Sequence, residues 1–165
     1  MTAVVADTSP LNYLVLIDAV EILRQLYRRI CVPEAVIVEL CSADAPLPVR
    51  QWAAALPAWV EVRAVATESL ADPRWQPLHA GEQAALALAV LLKADLVLMD
   101  ERTGVGVARK SGFRVTGTLG ILDEAARQGL LDLATAIEKL EATTFRYPQS
   151  VVAGLLAESR ERGKE

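Results

Sequence analysis

Four acids in this chain stand where a carboxylate is either costly or purposeful: Asp7, Glu39, Glu82 and Asp100. Asp7 ends the apolar run Ala3-Val4-Val5-Ala6, and Asp100 ends Leu96-Val97-Leu98-Met99. Burying an unpaired carboxylate costs free energy, so acids at such positions are normally paired or bound to a cation. For either aspartate alone, capping the next helix and binding a ligand are equally good readings. The same arrangement on two strands favours the ligand. Glu39 lies in Val36-Ile37-Val38-Glu39-Leu40, with Ala35 four residues earlier on the same helical face. By itself it reads as a surface residue. Glu82 opens the Ala- and Leu-rich stretch Gly81–Leu92, where a helix N-terminus favours negative charge and capping is a serious alternative. Gathered at one point, the four would repel one another and some would hold their protons more tightly. All-oxygen ligation selects Mg²⁺ or Mn²⁺ over zinc or copper. One or two such ions activate a water for in-line attack on a phosphodiester and neutralise the leaving oxygen.

The elements that must position these acids alternate between strand and helix. Strands are expected at residues 3–6, 30–32, 60–65, 96–99 and 115–116, and the alternation of Val60 to Val65 marks a half-exposed one. Helices are expected from Ser9-Pro10 onward and over 20–27, 34–41, 49–56, 81–92, 102–110 and 118–127. Two more, over 133–140 and 151–162, close the chain, with Tyr147-Pro148 at the turn between them. Asp72 to Pro77 reads as a loop. Strands separated by helices imply an α/β fold with a mostly parallel sheet covered on both faces, whose sites form at the carboxyl ends of the strands. Residues 1–165 are expected to form one domain, with a core over about 1–130 and C-terminal helices over about 131–165.

Composition narrows the function classes. The 165 residues are 53% hydrophobic and 23% charged, as in a folded protein, and only 5% aromatic, so Ala, Leu and Val must build the core. No apolar run is long enough for a bilayer, and Met1 to Asp7 lacks a basic leader, so a cytoplasmic location is expected. Cys31 and Cys41 lack zinc-ligand spacing and read as two buried, reduced thiols. The single histidine, His79, argues against triads and multi-histidine metal sites and reads as a loop residue before a helix. A net charge of −4 is unusual for a nucleic-acid partner, but metal bound to converging carboxylates reverses the local sign.

With these acids marked, the sequence resembles the PIN-domain ribonucleases, which include the VapC-like toxins of toxin–antitoxin pairs, and within them a branch of small prokaryotic PIN proteins. The resemblance rests on Asp7-Thr8-Ser9-Pro10-Leu11, Val32-Pro33-Glu34-Ala35-Val36 with Glu39, Gly81-Glu82-Gln83-Ala84-Ala85-Leu86-Ala87-Leu88-Ala89, Leu98-Met99-Asp100-Glu101-Arg102 and Val115-Thr116-Gly117-Thr118-Leu119-Gly120-Ile121-Leu122. Each is weak alone; five in this order are specific. The resemblance implies a Rossmann-like three-layer fold and Mg²⁺- or Mn²⁺-dependent cleavage of RNA. It also implies metal-binding and catalytic roles for Asp7, Glu39, Glu82 and Asp100, with Glu101 as a further carboxylate. Thr8 or Ser9 would orient the first aspartate, and Thr118 would reach a metal-held water or phosphate; for Thr8 and Thr118 helix capping is an equal reading. A small antitoxin partner and a homodimer are implied as well, the apolar helices after Asp18 supporting the latter. The chain departs from the family pattern at Val105 and Ala126, where relatives often carry a basic residue and a lysine. Arg102 and Arg109 remain as phosphate contacts.

Two other classes are open to the same acids. A phosphoacceptor signalling domain would need an early acidic pair and a lysine after the last strand; here Asp7 precedes Thr8-Ser9, and Thr116-Gly117 carries no lysine. A catalytically inactive PIN scaffold that binds RNA or protein would carry the same four acids.

Overall fold

The apolar runs do become strands. In the computed structural model, which describes residues 3–164, they are β1 (Val4–Ala6), β2 (Ile30–Pro33), β3 (Val60–Arg63), β4 (Leu96–Leu98) and β5 (Val115–Thr116). Each pairs in parallel with its neighbours in the order β3-β2-β1-β4-β5. Val5 stands opposite both Cys31 and Val97, so β1 lies at the centre of the sheet. Every residue of β1 is buried, which a strand covered on both faces requires.

The helices are α1 (Thr8–Leu16), α2 (Ile22–Tyr27), α3 (Glu34–Leu40), α4 (Leu47–Ala54), α5 (Thr67–Leu70), α6 (Ala80–Leu92), α7 (Arg102–Lys110), α8 (Thr118–Arg127), α9 (Leu133–Glu141) and α10 (Gln149–Arg162). The period-two pleat divides them into two layers. Val4, Ala6 and Leu98 face a cluster with Leu11 and Leu14 of α1, Leu40 of α3, Ile121 of α8 and Ile137 of α9. Val5, Val97 and Met99 face the other way, onto Leu86 and Leu88 of α6, Ala108 of α7 and Trp75. Each fully buried Leu or Val contributes roughly 1.5–3 kcal/mol of apolar burial, so both layers are needed to hold so short a sheet. The fold is α/β, with the helices flanking an all-parallel sheet.

Strand order sets where a site can form. From β1 the chain crosses to β2 and β3 on one side, then returns to β4 and β5 on the other. The connections therefore diverge between β1 and β4, leaving a crevice beyond their carboxyl ends. Asp7 and Asp100 are the residues that follow on at this rim, and the Asp7 N–H donates to the Leu98 carbonyl at 2.9 Å.

Some local expectations change. α3 stops at Leu40, so Cys41, its C-cap, is exposed while Cys31 on β2 is half-buried; both thiols are free, and the expectation of two buried thiols fails. β3 ends at Arg63 rather than Val65. α5 gives no apolar periodicity to read, because none of its residues is buried. α10 starts two residues earlier than expected and buries Val152. It is also clamped to the body through buried Asp123, whose carboxylate takes Arg127 at 3.0 Å and Arg162 of α10 at 2.9 Å.

Candidate active site

Each acid reaches the rim from a different element. Asp7 leaves the end of β1 as the N-cap position of α1, yet its side chain makes no capping hydrogen bond. It is only 4% exposed, and its Oδ1 is the one buried side-chain oxygen or nitrogen without a hydrogen-bond partner among the described residues. Burial pushes its carboxyl from an ordinary 3.8 up to about 7; the Thr8 backbone N–H pulls it down, while Glu82, Glu39 and Asp100 push it further up. Every charged group acting on Asp7 is thus another carboxylate.

Glu39 is aimed across the layers from α3. Its Oε1 accepts the Gly81 N–H of α6 at 3.1 Å, and its Oε2 accepts the Thr8 hydroxyl at 2.5 Å. This close approach needs glycine: a methyl group at Gly81 would stand 2.7 and 2.8 Å from the two Glu39 oxygens. Glu82, 7% exposed in the first turn of α6, accepts the His79 N–H at 3.2 Å. Burial raises its pKa, the His79 N–H opposes that, and Glu101 and Glu39 add to it. The capping reading of Glu82 is therefore correct as local geometry, and its second carboxylate oxygen makes no hydrogen bond among the described residues.

Asp100 is held by three hydrogen bonds from two residues. Its Oδ1 accepts the Thr118 N–H at 2.7 Å, and its Oδ2 accepts the hydroxyls of Thr118 at 2.6 Å and Ser9 at 2.9 Å. A methyl group at Gly117 would stand 2.6 Å from Oδ1, so the turn from β5 into α8 also depends on glycine. Glu101 caps α7 by accepting the Gly104 N–H at 2.9 Å.

Asp7, Glu39, Glu82, Asp100 and Glu101 line one cleft of about 500 Å³, together with Thr8, Ser9 and His79. Glu39 and Glu82 thus share the side of the sheet occupied by the two aspartates. Thr118 stands behind Asp100, fully buried. Arg102 and Arg109 do not join them: both are exposed on α7, outside the cleft lining. A further part of the cleft wall is instead made by Tyr13, Thr144, Phe145 and Arg146. Sequence reading passed over this wall, because Tyr147-Pro148 marked the segment only as a turn. The aromatic–basic–aromatic triplet Phe145-Arg146-Tyr147, in a chain poor in aromatics, was the available signal.

An all-parallel α/β sheet with carboxylates gathered at the carboxyl ends of its two central strands places this chain in the Rossmann-like class. A family model described as PIN domain matches residues 3–161, and the chain belongs to the PIN-domain family. PIN domains are generally nucleases and usually use divalent metals. A comparison with curated proteins finds no match. No helix among the described residues is long and apolar enough to cross a membrane.

The residues present fit a hard divalent cation. The donors are all oxygen, as Mg²⁺ and Mn²⁺ prefer. The buried Asp7 Oδ1 lacks any partner, as a group awaiting a cation would. Among the described residues no three acidic, cysteine or histidine side chains form a ready-made cage. Mg²⁺ does not require one, since it keeps several waters and commonly takes one or two carboxylates plus substrate phosphate.

Proposed function

We propose that this PIN domain is a Mg²⁺- or Mn²⁺-dependent endoribonuclease that cleaves RNA phosphodiester bonds in the acidic cleft. The observation that carries the reading is the orphaned, buried Asp7 Oδ1 amid three other carboxylates. Asp7, Asp100, Glu39 and Glu82 would hold one or two ions, with Glu101 at the edge. A bound divalent ion supplies charge neutralisation at the phosphate and acidifies a water for in-line attack. The protein's own part is positioning. Thr118 and Ser9 fix the Asp100 carboxylate, while Thr8 and the Gly81 N–H fix Glu39, so neither acid reorganises when substrate arrives. Asp7, desolvated at the bottom of the cleft, gains most from a cation, because its charge is otherwise unfavourable there.

The test is direct. A mixed-sequence RNA should be cut in Mn²⁺ and left intact in EDTA, and Asp100→Asn should reduce cutting to background while the protein keeps its circular-dichroism spectrum. Equal activity in EDTA removes the metal mechanism. One observation favours a second reading, a scaffold that binds RNA or protein without cutting. Glu39 and Asp100 already spend oxygens on protein donors, and among the described residues no three-acid group is preassembled. RNA retained in Mn²⁺ without cleavage selects it.

In the cell the proposed role is that of a cytoplasmic toxin acting as a homodimer. A small antitoxin would cover the cleft with a basic side chain directed at the acids. The family membership and the concentration of negative charge support this reading. Expression of the chain alone should arrest bacterial growth, and co-expression of a small protein encoded beside it should relieve the arrest. Normal growth at high expression of active protein would count against the toxin role.

A further inference from the structure

Five carboxylates line the cleft. Two divalent ions, the most proposed above, carry one charge fewer than five ionised acids. A site built of acids and metal alone would therefore still repel a phosphate. The rest of the chain does not correct this, since its net charge is −4. A substrate anion needs a positive side chain in the cleft itself.

Arg146 is the one lysine or arginine among the described residues that lines it. It is exposed, makes no ion pair among the described residues, and is not among the charges that act on Asp7 or Glu82. Its cation is therefore not consumed in neutralising the acids. Its hydrogen bond to the Phe145 carbonyl is long, 3.4 Å from Nη1, and leaves the other guanidinium N–H groups free. A free, exposed arginine is ordinarily just a solvated one, but this one stands on fixed backbone. Thr143 Oγ1 donates to the Leu140 carbonyl at 2.6 Å and accepts the Phe145 N–H at 3.2 Å. The Tyr13 hydroxyl and Thr144 Oγ1 are 2.9 Å apart, and the Tyr13 and Phe145 rings meet edge to face at 4.9 Å. Tyr13 belongs to α1, whose Thr8 and Ser9 donate to Glu39 and Asp100. One helix thus fixes both the acids and the segment that carries the arginine.

We infer that Arg146 is a further catalytic residue of this cleft, its guanidinium bonding the non-bridging oxygens of the phosphate being cut. This rests on the nuclease reading above. As the water oxygen bonds to phosphorus and the ester oxygen leaves, taking up a proton from that water, negative charge develops on the phosphate oxygens. A fixed cation beside them gains strength at that moment. Arginine suits the task better than lysine, because it is always charged and its planar fork matches two phosphate oxygens.

The test uses the full chain and a fluorescein-labelled mixed-sequence RNA, with Mn²⁺ present for cleavage and Ca²⁺ in its place for binding. Arg146→Ala should lower kcat about 100- to 1000-fold with little change in KM, and Arg146→Lys should recover only part of the loss. In Ca²⁺ the salt dependence of RNA binding by Arg146→Ala should be shallower by about one phosphate contact. The melting temperature of Arg146→Ala should match the wild type, and its rise on adding Mn²⁺ should be undiminished, because the exposed side chain supports neither the core nor the acids. Wild-type kcat in Arg146→Ala, a loss confined to KM, or an unchanged salt dependence overturns the assignment and leaves the nuclease reading intact. A loss of kcat that comes with a lower melting temperature or a lost Mn²⁺ response overturns it too, by making Arg146 a support of the structure. If the wild type never cuts RNA in Mn²⁺, the nuclease reading fails and this assignment falls with it.

Discussion

Replacing Asp7 by asparagine is expected to stop RNA cleavage and, in EDTA, to raise thermal stability. The two effects have one cause. In the folded protein Asp7 keeps its proton up to about pH 7, whereas the unfolded chain releases it near 3.8. Between those values the folded state binds more protons, so its stability declines as pH rises and levels off above about 7. Over that span the decline amounts to roughly 4 kcal/mol for the Asp7 carboxyl. Asparagine has no charge to desolvate and escapes the decline. At pH 8 in EDTA, Asp7→Asn should therefore melt roughly 5 °C or more above the wild type, and the gap should close toward pH 4. Adding Mn²⁺ should raise the melting temperature of the wild type more than that of the variant, which keeps the other three acids but lacks the most desolvated one. A gap that does not widen with pH would show that Asp7 is not held in the state described. Full cleavage by the variant would remove it from the chemistry.

The second large effect comes from a residue with no functional group. Gly81→Ala adds one methyl at the start of α6, where alanine is a better helix former than glycine by up to about 1 kcal/mol. Stability should hold or rise slightly. The methyl, however, occupies the place of the Glu39 carboxylate, 2.7 Å from one of its oxygens. Glu39 must swing away and give up both the Gly81 N–H and the Thr8 hydroxyl. Loss of a ligand's supporting shell typically costs about 10- to 100-fold in activity or metal affinity, and a loss of that size in Mn²⁺-dependent cleavage is expected here. Shortening the acid in the same background with Glu39→Asp should recover part of it. Wild-type activity in the single variant would mean that the position of Glu39 does not matter.

These predictions draw on features that differ in how far the sequence reveals them. Asp7 and Asp100 were legible because a wholly apolar strand that stops at an acid marks both the sheet and its rim. Glu39 was not legible alone: its direction depends on α3 crossing to the first turn of α6, a contact between residues 42 positions apart. Glu82 was ambiguous between cap and cleft, and the structure shows a residue that does both. The arginines fared worst. Arg102 and Arg109 belong to a local basic run, but that run follows the exposed side of α7, and sequence proximity to Asp100 says nothing about which way a helix turns. Arg146 reaches the cleft because α9 and α10 pack on α8 and on each other, which sets the connection between them against Tyr13 of α1, and no local pattern encodes that docking. Helices that bury a periodic face were readable, whereas α5, which has no fully buried residue, was silent.

The order of the strands has a consequence for the birth of the protein. The centre of the sheet is made first, but its neighbour β4 pairs with it across about ninety residues, Val5 against Val97. The last clamp on Asp100 comes later still, from Thr118. A nascent chain therefore carries Asp7 and Glu39 through most of its synthesis with nothing to gather them, and long-range parallel pairing of this kind is slow to form. With the ribonuclease activity proposed above, the chain would thus stay harmless to the message and the ribosome producing it until nearly the whole domain had emerged.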